Sequence, residues 1–140
     1  MDLRRQNGSA SGAGTAELTA NIKRFERPEH LLVFDSGRLE VLTVGGQTIG
    51  KGSYAPGWRW SHCTAPSSAA KGGPAETVGV VLSGQARVQS QGSEMDLNPG
   101  DFFHTVIANG HDEWVVGQRP CEILYLSGVE GLIRQLRAAA

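Results

Sequence analysis

The stretch Asn98-Pro99-Gly100-Asp101-Phe102-Phe103-His104-Thr105-Val106-Ile107-Ala108-Asn109-Gly110-His111-Asp112-Glu113-Trp114-Val115-Val116-Gly117 governs how the remaining residues are read. It opens on a turn. Proline presets φ at the second turn position, glycine accepts positive φ at the third, and Asn98 and Asp101 suit the flanks of a type II turn. The β-prone run Phe102 to Ala108 follows, Asn109-Gly110 breaks it, and His111, Asp112, Glu113 and Trp114 come directly after the break. A titratable cluster at a strand end beside an aromatic ring is where a β-scaffold carries a site.

Outward from this stretch, the chain reads as short strands separated by turns. On the N-terminal side, His30–Phe34, Arg38–Val44 and Gln47–Tyr54 are strand-like, the last weakened by Gly50 and Gly52. Pro56-Gly57 turns the chain into Trp58-Arg59-Trp60-Ser61-His62-Cys63-Thr64, whose alternation predicts a strand with Trp58, Trp60 and His62 on one face. Ala65–Ala75 is poor in apolar bulk and is expected to form a long loop. Thr77–Leu82, Gln85–Ser90 and Glu94–Leu97 are three further strands, and Cys121–Ser127 is the last. Val129, Leu132, Ile133 and Leu136 recur at helical spacing, so Val129–Arg137 is expected to be a short closing helix. Residues 1–16 have almost nothing to bury and are expected to be a disordered arm, with one domain over 17–140. Glu17–Glu29 is either an extended arm or a helical turn, closed by Pro28.

At 140 residues the chain is long enough for one domain with a real core. Its nineteen glycines and six prolines fall between short apolar runs, which favours an all-β domain over a bundle. About nine short antiparallel strands with one terminal helix describe a small closed barrel or jelly roll. The formal net charge is −1, without long blocks of one sign, so neither nucleic acid nor a membrane surface is expected as a partner. Two cysteines, Cys63 and Cys121, propose no disulfide framework. No apolar run approaches the ~20 residues of a membrane helix. Arg4-Arg5 is not followed by the hydrophobic segment of an export signal, so a cytoplasmic location is expected.

These residues resemble a known family. Asn98-Pro99-Gly100-Asp101 followed by His111 resembles the second motif of the cupins, in which a turn precedes a strand, a break and a metal-binding histidine. Val78-Gly79-Val80-Val81-Leu82-Ser83-Gly84 resembles the end of the first cupin motif, and Pro56-Gly57 leading into Trp58–His62 resembles its beginning. Gly57–Ser61 together with Gly110–Gly117 is similar to a group of small bacterial single-domain cupins. The resemblance covers roughly residues 30–127 and implies a jelly-roll barrel with a ligand or metal site inside it.

The first metal motif is degenerate. The family's usual set is two histidines, a glutamate and the second-motif histidine. Here His62 stands one residue short of the first position, Thr64 occupies the second, and the glutamate position falls on Thr77, with Glu76 adjacent. A slip of one residue would turn Glu76 away from the interior unless a bulge restores it. The resemblance therefore implies His111, His62 and Glu76 as metal candidates for a divalent ion such as Zn, Fe, Mn or Ni, with a metal-free site as the alternative.

The candidate catalytic residues are His111, His62 and His104, since imidazole exchanges protons near neutral pH. The alternative for His111 is a hydrogen-bonded strand-end histidine capped by Asp112, and His104 reads more readily as a core or interface residue. Trp58, Trp60, Trp114 and Thr77 are candidates for a pocket wall, the first two being equally readable as core filler. Cys63 follows His62 directly, so the two would face opposite ways on a strand and form no nucleophile pair. Two functions remain open. One is a small enzyme of isomerase, cyclase or lyase type acting on a small apolar or aromatic substrate, metal-assisted or by histidine acid–base chemistry. The other is a non-catalytic small-molecule-binding or sensing module. A homodimer is expected from the family resemblance.

Overall fold

The computed structural model describes residues 19–63, 75–107 and 110–138. The expected arm at 1–16 and all but the last residue of the expected loop at 65–75 lie outside these. Nine strands and two helices are present among the described residues: β1 (His30–Phe34), β2 (Gly37–Val44), β3 (Gln47–Tyr54), α1 (Trp60–Cys63), β4 (Ala75–Ser83), β5 (Ala86–Ser90), β6 (Ser93–Leu97), β7 (Phe102–Ile107), β8 (Asp112–Val115), β9 (Cys121–Ser127) and α2 (Val129–Ala138). They form an antiparallel six-stranded sheet, β1-β2-β3-β9-β4-β7, and a three-stranded sheet, β6-β5-β8. The core lies between the sheets and contains Leu39, Val41, Trp58, Val81, Val88, Val115 and Ile123.

Alternation built the strands. In β4, Ala75, Thr77, Gly79 and Val81 are buried while Glu76, Val78 and Leu82 are exposed. In β5, Ala86 and Val88 face inward, as their spacing requires. The glycines that weakened β3 as a strand have a packing role: a Cβ on Gly52 would collide with the Tyr54 ring, which folds back over it. Gly128 combines φ of +80° with a backbone approach to the Glu76 carbonyl that leaves no room for a side chain, and so starts α2 tightly after β9. Gln135 in α2 is fully buried, and its Nε2–H donates to Ile107 O at 3.1 Å, fastening the helix to the end of β7.

Residues 19–29 contain no helix. Arg27 N–H donates to Arg24 O in a turn, and Glu29 Oε1 accepts from Thr43 N–H at 2.8 Å and Lys23 Nζ at 3.0 Å. These bonds tie the segment to β2 and hold the Glu29 carboxyl below its ordinary range, the Thr43 amide contributing most.

The expected strand at Trp58–Thr64 is corrected. The chain coils into α1, with His62 N–H donating to Arg59 O. Tertiary bonds overrode the alternation: Asp112 Oδ1 accepts from Ser61 N–H at 3.0 Å and Asp112 Oδ2 from Ser61 Oγ at 3.1 Å, rewarding a coil where the pattern read extended. Arg59 still bridges Trp114, and Trp58 O accepts from Val115 N–H, so only the first part of the stretch continues the smaller sheet.

Candidate functional site

Strand β8 and the residue before it place two ionisable side chains on one inward face. His111 and Glu113 are two apart, so both point into the interior, while Asp112 and Trp114 point out. The side chains of His111 and Glu113 are 2 % and 8 % exposed, and His111 Nε2–H donates to Glu113 Oε1 at 2.9 Å. A carboxylate accepts only, so this bond assigns the Nε2 proton. The other ring nitrogen, Nδ1, is buried and has no hydrogen-bond partner among the described residues. A neutral His111 therefore holds a basic lone pair on Nδ1, inside the protein, with a carboxylate behind it.

Aromatic rings surround the pair. Trp60 meets the His111 ring edge-on at a centroid distance of 6.3 Å. Tyr54 packs on Trp58 at 4.1 Å, and Phe103 meets Tyr125 edge-on at 6.2 Å. The Tyr54 and Tyr125 hydroxyls share a buried hydrogen bond of 2.6 Å. Burial pushes both phenols well above the ordinary tyrosine value, with the Glu113 charge adding to the shift, so both stay protonated. Burial likewise raises the Cys121 thiol to about 11, helped by Glu113 and Glu122. On the opposite wall the Thr77 and Thr105 hydroxyls are 2.8 Å apart.

The expected site residues separate into those inside and those outside. His111, Trp58, Trp60 and Thr77 are buried. His62 is exposed on α1 and does not join His111, because the coil at Trp60–Cys63 replaced the strand that would have turned it inward. Glu76 lies on the outward face of β4, as the one-residue slip dictates, and no bulge in β4–β7 pairing reverses it. His104 lies outward on β7 and donates from Nε2 to Glu76 Oε1 at 2.7 Å, their side chains 57 % and 68 % exposed. Trp114 is also outside, with the Arg59 guanidinium 4.3 Å over its ring. Asp112 does not cap His111; it is bound to Arg59 Nη1 at 2.8 Å and to Ser61.

These positions do not fit the metal set implied by the resemblance. Of His111, His62 and Glu76, only His111 faces the interior, and its Nε2 is engaged by Glu113. Among the described residues no group of three or more His, Cys, Asp or Glu side chains could hold a metal ion. Two surface clefts, of about 470 and 430 Å³, include neither His111 nor Glu113. No helix among the described residues is long and apolar enough to cross a membrane.

The element order, the antiparallel pairing of the two sheets and the closing helix together settle the architecture. The fold is that of a small antiparallel jelly roll with a short C-terminal helix. No protein-family model and no curated protein matches the chain. Solved structures do match. A protein of unknown function from Acinetobacter sp. ADP1 is 12 % identical, with a TM-score of 0.50 over 71 % of this chain and 90 % of that one. A sugar phosphate isomerase from a cupin superfamily, from Silicibacter pomeroyi, is 18 % identical, with a TM-score of 0.48 over 66 % and 59 %. A cupin superfamily protein from Desulfitobacterium hafniense is 18 % identical, with a TM-score of 0.43 over 75 % and 83 %.

Sequence reasoning put Glu113 in the titratable cluster without giving it a role, and missed Tyr54 and Tyr125 as parts of the candidate site. Glu113 carried a usable signal, since period two from His111 places it on the same face. The tyrosines carried none, because their meeting depends on how β3 and β9 pair 71 residues apart.

Proposed function

We propose that this small cupin binds a small apolar or aromatic molecule in its interior and acts on it by acid–base chemistry of the isomerase, cyclase or lyase type. The observation that carries this reading is the buried His111–Glu113 pair with its unpartnered Nδ1. Such a nitrogen can remove a proton from carbon beside a carbonyl, and the Glu113 carboxylate then stabilises the imidazolium that forms. One of the protonated phenols of Tyr54 and Tyr125 donates to the other, which leaves one O–H in the same interior for an oxygen on which charge develops. The rings of Trp58, Trp60 and Phe103 match an apolar ligand. No step is assigned to a metal, because the donors described do not converge on one.

The placement of His62, Glu76 and His104 outside the interior favours a second reading, a module that holds its ligand without turning it over. One experiment separates the two. The protein is incubated in D2O with a panel of small aromatic and aliphatic carbonyl compounds, and carbon-bound deuterium is followed by NMR. Deuterium uptake or product formation that is lost in both His111→Ala and Glu113→Gln supports the enzyme. Saturable binding without exchange supports the binding module. Exchange that persists in His111→Ala removes the proposed base.

A further inference from the structure

The charges of this chain are sorted by face. Lys51 pairs with Glu122 at 3.4 Å, Arg59 with Asp112 at 2.8 Å and Arg87 with Asp96 at 2.7 Å, and in each pair both side chains lie partly in solvent. Lys51 alternates with the buried Gly50 and Gly52, and Arg59 lies over the outward ring of Trp114, so these cations stand on the outer surfaces. Among the described residues no Lys or Arg is buried. Two carboxylates are. Glu40 belongs to the outer face of β2, where Arg38 stands 3.9 Å away. Glu113 is 6 % exposed and shares the inward face of β8 with His111.

The Glu113 charge is felt across the interior. Burial is the main reason that Tyr54, Tyr125 and Cys121 resist ionisation, and the Glu113 carboxylate adds to it at all three. Those three residues come from β3 and β9, in the sheet that does not contain β8, so the field spans the space between the sheets. Thr77 and Thr105 bring only uncharged hydroxyls to the same space.

We infer that Glu113 restricts this interior to carbonyl compounds that carry no carboxylate or phosphate, an inference that rests on the interior site proposed above. An anionic ligand would have to shed its water and then sit beside a second anion, with no buried cation among the described residues to offset either cost. A neutral carbonyl compound meets the opposite situation. Its oxygen can accept the O–H that the phenol pair leaves over, and its apolar part can lie against Trp58 and Trp60. Negative charge develops on it only as a proton reaches His111, and the imidazolium so formed cancels that charge. The interior then stays throughout at the single negative charge that Glu113 sets.

Ligand titrations followed by NMR of the His111 ring test this, because that ring reports the interior and not the two surface clefts. The probes are acetophenone and acetonaphthone, each matched with the carboxylate of the same ring system, benzoate and naphthoate. With wild-type protein the ketones are expected to shift the His111 signals saturably, and the carboxylates to bind about 100-fold more weakly or worse. Glu113→Gln keeps an acceptor for the His111 Nε2–H but removes the charge. Carboxylate affinity should then rise about tenfold, while ketone affinity changes by less than about twofold. Circular dichroism checks the fold of the variant, and the wild-type series decides the ligand class without it. Carboxylates that bind the wild type as well as the ketones do overturn the inference, and so does failure of both ketones to perturb His111. A folded Glu113→Gln that still rejects carboxylates overturns the role given to Glu113. Ketone-selective binding without deuterium uptake leaves this inference standing and removes the acid–base reaction; uptake together with equal carboxylate binding does the reverse.

Discussion

The chain contains two histidine–glutamate pairs of nearly equal length, and they differ in almost everything else. His111–Glu113 spans 2.9 Å between side chains that water barely reaches; His104–Glu76 spans 2.7 Å between side chains mostly in solvent. A hydrogen bond out of reach of water is electrostatically stronger than one in solvent, and removing either buried partner leaves the other without hydration. Hence the shorter contact is the weaker one. Distance alone would have ranked the two pairs the wrong way round.

The largest expected effect breaks this comparison directly. Glu113→Ala should cost about 1 to 3 kcal/mol of unfolding free energy, because the His111 Nε2–H is then buried without an acceptor. Glu76→Ala should cost less than about 1 kcal/mol. Urea denaturation of the two variants checks both, and equal losses would show that burial does not separate the pairs.

Next comes alkaline pH, which acts on the interior alone. Burial pushes the Cys121 thiol up from 9.0 to about 11, and raises the two buried phenols in the same direction. The unfolded chain therefore loses protons first, so the Cys121 contribution is complete below pH 9 and disappears as pH rises through about 11, while that of the phenols is lost at higher pH. The share from Cys121 is on the order of 2 kcal/mol. Thermal melts between pH 8 and 11 should fall, and fall less in Cys121→Ala.

Tyr54→Phe sharpens the picture inside the interior. It leaves the Tyr125 hydroxyl buried without its 2.6 Å partner and should cost about 1 to 2 kcal/mol in denaturant melts. The smallest effect belongs to the outer pair. His104→Ala should move the stability of the chain by roughly 0.5 kcal/mol or less, read as the urea midpoint.

Most of the fold was legible because period-two alternation and turn residues are local signals. His30–Phe34, Gln47–Tyr54 and Cys121–Ser127 fall where the sequence put them, and the last helix begins at Val129 as its spacing required. The site was less legible. His111 could be placed inside from its motif, whereas Glu76 was carried as a metal candidate although a one-residue count turned it outward. His62 could not be placed, because alternation from Trp58 to His62 was genuine but the carboxylate that coils this segment comes from Asp112, about fifty residues later. Trp114 was misread for a related reason: it neighbours the site in sequence, but one step along a strand reverses the face.

Asp112 has a consequence beyond this single chain. It receives Arg59 and both donors of Ser61, and Arg59 lies across Trp114, so four positions from two distant stretches solve one steric and electrical problem together. Natural variation should therefore arrive in sets. A homologue that replaces Asp112 with an uncharged residue would leave Arg59 without its counter-ion, and substitutions at 59 and 61 should accompany it, whereas the inward residues 111 and 113 form a separate set.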